Sequence, residues 1–404
     1  MLNITGFLSR QHRNFKTILI RRTGATLFNY LTESYRDIYI RLMGADYIQL
    51  GLLHTIGRLI SAIISYPFGR LIDHRSSRNI LIFAMILEAL VPLTFFLAND
   101  WIMVSIAIVL YSVVFFCLSG VETVVVANSV KKEDRARCFS ILATFGNIPP
   151  LIIPLVAGIF LTKKGGYSIF NINILFITQF LGLALLTFII SRRLEDMPVY
   201  EKKKQSVIDE FKVLLDSGPS LRRWLVIDTV SNASFAVFSR YIWIYGIEEK
   251  NITPLLIGVM TTVYAIIGIF SSIPLGALAD KIGRLKVVIL LRIPLHLGMI
   301  LFLFTNDPRL FILGWALRGT FQANVGILNA YRNELVPVSV RGRWMGMREM
   351  LRAIFSIPAP LFGGVLYSQV SPMAPFLFYI FVDVFIRVPL MFTMPKTISK
   401  AEFM

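Results

Sequence analysis

Cysteine and histidine are nearly absent from this chain, at two and four in 404 residues. Cys117 and Cys138 fall in or at the end of apolar stretches, with no metal or disulfide spacing, and read as buried, inert thiols. The four histidines form no HExxH or comparable ligand pair, which leaves a metalloenzyme without support. No Walker-type phosphate loop occurs, so direct coupling to ATP is not expected, and no nucleophile constellation suggests an enzyme. No cofactor is implied. Charge is also scarce: 16% of residues carry it, against roughly a quarter in soluble domains. The basic N-terminus has no apolar core ending in a cleavage site, so a cleaved signal peptide is not expected. Short alternating strand patterns are weak, which argues against a barrel.

What the chain does have is apolar length. Hydrophobic residues make up 55%, gathered in blocks of about twenty, enough to cross the ~30 Å hydrocarbon layer as helices. The blocks predict twelve spans at 23–43, 46–70, 79–98, 101–128, 137–162, 168–191, 222–247, 253–279, 286–305, 308–333, 342–368 and 373–395. The net charge of +17 follows this topology. With the N-terminus inside, 27 Lys/Arg fall in cytoplasmic segments or at the span ends bordering them, and 4 in or bordering outer loops, placing both termini in the cytoplasm. The excess charge belongs to orientation, and no nucleic acid partner is expected.

The chain is also a repeat. Residues 50–79 align with 257–286 without a gap: Gly51, Thr55, Ile60, Ser65, Pro67, Gly69, Leu71 and Asp73 meet identical residues 207 positions later. Arg135, Arg137, Pro154 and Gly158 meet Arg341, Arg343, Pro360 and Gly364 at an offset of 206. The organisation predicted is an N-terminal six-helix bundle (1–191), a cytoplasmic linker (192–221) and a C-terminal six-helix bundle (222–404). Parallel repeats of this kind are a transporter architecture with a site at the repeat interface. In the linker, Val207, Phe211, Leu214 and Leu215 recur at helical spacing beside Lys202–Lys204. This fits an interfacial helix on anionic inner-leaflet lipid, or equally a solvated connector.

The stretches GRLIDHRSSR (69–78) and GALADKIGRLK (276–286) resemble the signature loop of the major facilitator superfamily. The resemblance covers essentially the whole chain and implies an all-α membrane protein of twelve transmembrane helices in two pseudo-symmetric bundles. The second copy carries Gly276, Asp280, Gly283, Arg284 and Lys286 in place. In the first, Ser76 and Ser77 replace the second Gly and an Arg, with Arg75 and Arg78 offering charge from shifted positions. Glycine at 69 and 276 would let helices approach closely. Asp73 and Asp280 would meet a helix start or an arginine. The resemblance implies that Asp73 faces the start of helix 11 (Arg341, Arg343) and Asp280 that of helix 5 (Arg135, Arg137), closing a cytoplasmic gate. APLFGG (359–364) in helix 11 is close to a pattern that exporters of the family carry in helix 5, while helix 5 here reads PLVAG (154–158).

Apart from the basic residues assigned to loops and bordering span ends, ten remain inside the expected spans, all arginine: 36, 41, 58, 240, 292, 318, 332, 348, 352 and 387. A charge at mid-membrane costs about 2.5–3.5 kcal/mol on insertion scales, so such residues pair or line a cavity. Asp383 and Arg387 have the i,i+4 spacing of a pair on one helix. The resemblance puts helices 3, 6, 9 and 12 at the periphery, where Glu88, Arg292, Asp383 and Arg387 take structural roles. In helix 1, YLTESYRDIYIRL (30–42) sets Glu33 before Arg36 and Asp37 before Arg41, at favourable spacings. Eighteen residues before Gly51 stands Glu33; eighteen before Gly258 stands Arg240.

Glu33 is therefore the expected proton-coupling carboxylate, with Asp37 second; the competing reading is a permanent Glu33–Arg36 ion pair. Arg36, Arg58, Arg240 and Arg318, with Tyr30 and Trp243, are the expected substrate-cavity residues, and the arginines suit an anionic group. The function expected is secondary active transport of a small organic solute, proton-coupled, by alternating access in the cell membrane, by a monomer. The alternatives are a broad-specificity drug or metabolite efflux proton antiporter and a non-transporting membrane sensor.

Overall fold

The computed structural model describes residues 4–74, 76–196, 218–336 and 341–395, apart from the side chains at 4, 5, 65–74, 115, 116, 119, 333, 341–343 and 346. Among these residues the secondary structure is helical throughout. The first half comprises α1 (Ile4–Arg10), α2 (Arg13–Tyr30), α3 (Arg36–Leu42), α4 (Tyr47–His74), α5 (Ser77–Leu97), α6 (Trp101–Ser129), α7 (Arg135–Gly146), α8 (Ile153–Lys163) and α9 (Ile169–Arg193). The second comprises α10 (Pro219–Phe238), α11 (Ile242–Glu248), α12 (Pro254–Ile282), α13 (Arg284–Leu290), α14 (Arg292–Phe304), α15 (Pro308–Gly319), α16 (Ala323–Leu335), α17 (Arg341–Ser356), α18 (Ala359–Val365), α19 (Ala374–Val382) and α20 (Val388–Phe392).

Eight helical stretches among the described residues are long and apolar enough to cross a membrane. They are Tyr47–Ile64, Ser77–Leu97, Lys132–Lys163, Ile169–Arg193, Pro254–Ile282, Arg284–Phe304, Met347–Val370 and Ala374–Phe392. The other four expected spans are the first of each group of three. α2/α3 is broken by a 3₁₀ turn at Glu33–Tyr35, α10/α11 by a turn after Phe238, and α15/α16 by a 3₁₀ turn at Thr320–Gln322. In the fourth, α6, the described apolar run is Trp101–Val114. Apolar side chains face outward, as Phe270 (75% exposed) and Ile273 (83%) illustrate, while Arg21, Arg292 and Asp383 are buried. That inversion suits a hydrocarbon solvent.

The chain folds as two compact units. The first contains Met1–Ala45, Ile56–Lys202 and Thr253–Gly258; the second contains Asp46–Thr55, Lys203–Ile252 and Val259–Met404. Each unit therefore includes the first turns of a helix whose remainder belongs to the other. Glycine makes these inclusions possible. In the second unit, a Cβ on Gly51 would sit 2.5 Å from Pro360 O, and one on Gly364 would strike Tyr47 O. In the first, a Cβ on Gly158 would sit 2.5 Å from Pro254 O, and one on Gly258 2.6 Å from Pro154 O. These are the Gly and Pro positions that the two repeat offsets pair.

Prolines interrupt the helices beside those crossings. Pro149–Leu151 forms a 3₁₀ turn between α7 and α8, and Pro358 separates α17 from α18. A proline lacks the amide hydrogen that continues a helix, so both breaks follow from the sequence. The helix of the first expected span begins at Arg13 rather than at residue 23. The linker positions Val207, Phe211, Leu214, Leu215 and Lys202–Lys204 lie outside the described residues.

Candidate functional site

In the first unit, the polar interior is built on α2 and its break. Arg21 is 2% exposed and forms ion pairs with two carboxylates: Glu88 of α5, at 2.5 Å, and Glu122 of α6. Arg22, next along α2 and more exposed, reaches the other oxygen of Glu122 at 3.1 Å. From Glu88 a line of hydrogen bonds runs along the helix. Asn29 Nδ2 donates to Glu88 Oε1 (3.0 Å), and Gln179 Nε2 of α9 donates to Asn29 Oδ1 (2.7 Å). Thr32 Oγ1 then donates to Gln179 Oε1 (2.7 Å), and Arg36 Nε to Thr32 Oγ1 (3.4 Å). The Arg36 guanidinium lies over the Tyr111 ring, 4.4 Å from its centroid.

The local fold explains the geometry. The 3₁₀ turn at Glu33–Tyr35 starts beyond Thr32, whose hydroxyl is taken by Gln179 and makes no cap. Tighter winding there turns Glu33 outward, where it is exposed, while Arg36 is buried. The Glu33–Arg36 pair of the competing reading does not form; Glu33 makes no ion pair among the described residues. Asp37 and Tyr30 are half-buried.

In the second unit, the site centres on Asp228 of α10, 8% exposed. Arg348 Nε approaches its Oδ2 at 2.6 Å and Arg352 Nε at 3.2 Å, both from α17. Glu349 pairs with both arginines, at 2.5 and 3.0 Å, and Arg352 also donates to Asn232 (3.0 Å). Arg21 and Asp228 are 207 residues apart, the offset of the repeat. One position of the first helix in each half thus holds a buried charge flanked by two charges of opposite sign, with the signs exchanged between halves.

A further cluster surrounds Asp383, which is fully buried. It pairs with Arg387 (3.1 Å), as its spacing predicts, and also with Arg292 (2.9 Å) and His296 (2.7 Å) of α14. Arg318 lies over Trp315, 4.7 Å from the ring centroid, and Trp315 packs on Trp243 at 5.2 Å. Arg318 Nε and Nη1 are buried with no hydrogen-bond partner among the described residues. Trp315 thus touches both Arg318 and Trp243, while Arg58 and Arg240 are half-buried.

The gate positions divide. Arg78 donates to Leu194 O (2.7 Å) and Ser191 O (3.1 Å) at the end of α9. Gly69, Asp73, Arg75, Arg341 and Arg343 have side positions outside the described set. Asp280 bonds Arg284 of its own motif at 3.4 Å, and Arg284 pairs with Glu334. Gly283 has φ +101°, a left-handed conformation that glycine adopts freely and that separates α12 from α13. Gly276 has open space where a Cβ would stand, so the expected close approach is not made there by described residues. Arg135 donates to Ala127 O (2.8 Å), and Arg137 lies over the Phe7 ring at 3.9 Å.

The first-unit network was not read from the sequence. Arg21 counted among cytoplasmic charges because the apolar run begins only at Thr23, and Glu88 was placed at the periphery. The signal available was the 207-residue offset between Arg21 and Asp228.

An all-helical fold with transmembrane helices, a duplicated sequence and ion clusters buried within those helices defines a membrane transporter. The description "Major Facilitator Superfamily" matches residues 23–251 and 229–401, and the chain belongs to that family. It is a multi-pass membrane protein. Multidrug resistance protein MdtG of Salmonella choleraesuis (strain SC-B67) is 26% identical over 335 residues, covering 81% of this chain and 80% of its own. Among solved structures, the nucleoside transporter NupG superposes with TM-score 0.68 at 14% identity, covering 93% of this chain and 97% of its own. A D-xylose-proton symporter gives TM-score 0.67 at 14% identity, covering 95% and 98%. The two structural likenesses speak to the fold.

Proposed function

We propose that this transporter exports small organic solutes across the cell membrane by alternating access, in exchange for protons. The observation that carries the reading is the ion network buried in the first unit, Glu122–Arg21–Glu88 with its hydrogen-bonded extension to Arg36. Ionisable groups within membrane helices are costly, and they mark ion or proton pathways by default. The likeness to MdtG over four-fifths of the chain supports export as the direction and drug-like solutes as the class. Glu33 and Asp37, at the helix break, are in this reading the carboxylates that exchange protons between water and the buried network, Glu33 being exposed and Asp37 half-buried.

A second reading has an observation of its own. Arg318, over Trp315, has buried N–H groups with no acceptor among the described residues, which suits the carboxylate of an organic anion. The test is transport by purified protein in liposomes under an imposed pH gradient, with ethidium as the lipophilic cation and a panel of organic anions. Uphill movement of ethidium, abolished by a protonophore, is expected. Uphill movement of anions alone would replace the first reading by the second. Insensitivity of every solute to the pH gradient overturns proton exchange.

A further inference from the structure

Four bonded contacts separate Arg36 from Glu88, and chemistry fixes their direction. An arginine can only donate hydrogen bonds, and an ionised carboxylate can only accept them. With Arg36 at one end and Glu88 at the other, Thr32, Gln179 and Asn29 must each accept from the Arg36 side and donate toward Glu88. Swapping either amide's oxygen and nitrogen would set donor against donor or acceptor against acceptor. The whole line is therefore polarised by the negative charge on Glu88, and such chains strengthen cooperatively.

The arginines around Glu88 are unevenly shared. Arg21 faces it from α2 and Glu122 shares that arginine from α6; α9 contributes the neutral Gln179, through Asn29. One buried guanidinium, Arg21, is shared by two buried carboxylates; Glu122 has a second arginine in Arg22, 52% exposed, and Glu88 has none among the described residues. The charge on Glu88 is thus only half met, and a proton is the smallest ligand that neutralises it.

We propose that Glu88 binds the transported proton and that the Asn29–Gln179–Thr32 line carries its protonation state to Arg36 at the break in the first helix. The proposal rests on the proton-coupled reading above and assigns its proton site. A proton from water adds to Glu88 Oε1, turning the carboxylate into a carboxylic acid. The protonated oxygen is a poorer acceptor and can itself donate, so its bond from Asn29 weakens. Gln179 and Thr32 lose their enforced direction, and the Arg36–Thr32 contact at the 3₁₀ turn weakens with them. Glu88 is thus a proton-binding residue, and Asn29, Gln179 and Thr32 are positioning residues.

The experiment is infrared difference spectroscopy of the purified full-length protein, acid buffer minus alkaline buffer, following the carboxylic acid C=O stretch. The probe is the proton alone, so no substrate is needed and failure of transport does not affect the readout. A protonated-carboxyl band is expected in the wild type, lost in Glu88→Gln, and retained in Glu33→Gln. Glu88→Asp, which keeps the carboxyl, should shift the band, and this variant decides the matter if Glu88→Gln does not fold. Gln179→Met, which cuts the line at similar volume, should shift the midpoint of the band's titration. A band that survives Glu88→Gln, stays unmoved in Glu88→Asp, or disappears in Glu33→Gln overturns the assignment. An unchanged midpoint in Gln179→Met overturns the relay.

Discussion

At the scale of single residues, burial makes each charge depend on its neighbours. Arg21 is held by Glu88 and Glu122 in an apolar interior, so Arg21→Met would leave two carboxylates without their partner. Breaking a buried ion cluster from one side costs about 3–5 kcal/mol, and removing the whole cluster costs far less. Thermal unfolding of Arg21→Met in detergent should show a large loss of stability, mostly restored by adding Glu88→Gln and Glu122→Gln. Arg318 makes the opposite case. Two of its buried nitrogens lack acceptors, so the folded protein already bears an unmet desolvation cost of roughly 1–3 kcal/mol. Arg318→Met should raise the unfolding temperature while reducing transport of organic anions, measured side by side on one preparation.

At the scale of elements, helices cross where glycine permits and bend where proline compels. Gly158 and Gly364 stand against the backbone carbonyls of Pro254 and Tyr47, which have no rotamer by which to retreat. Gly158→Ala and Gly364→Ala should each destabilise by about 1–3 kcal/mol, as overpacking does. Gly276, the motif glycine with open space around it, should accept alanine with a neutral effect or a gain up to about 1 kcal/mol from helix propensity. Unfolding midpoints of the three variants check the contrast. The sequence repeat pointed to the crossings through Gly51, Pro154, Gly158, Pro360 and Gly364, but the alignment does not say which glycine meets which carbonyl. Helix 1 is legible as a charged span, but its helical period does not show the break within it. A 3.6-residue period puts Glu33 beside Arg36, and the 3₁₀ turn puts Arg36 over Tyr111 instead.

For the whole molecule, the distribution of basic residues predicts an orientation with both termini in the cytoplasm. Cys117 and Cys138 are 3% and 0% exposed, so the native thiols should resist a membrane-impermeant maleimide. Against that silent background, Lys164→Cys should be labelled from outside intact cells, and Lys131→Cys only after the membrane is opened. The reverse pattern would invert the topology. Membrane class, the two-half organisation and the signature motifs were determined by the sequence alone, because hydrophobic length, loop charge and an internal repeat are properties of linear order. The ion networks were decided only by tertiary structure. Arg21 finds Glu88 and Glu122, 67 and 101 residues away, and Arg348 finds Asp228 across 120. A buried charge is stabilised by whichever opposite charge the packing of helices brings within reach, and pairing along one helix accounts for few of them.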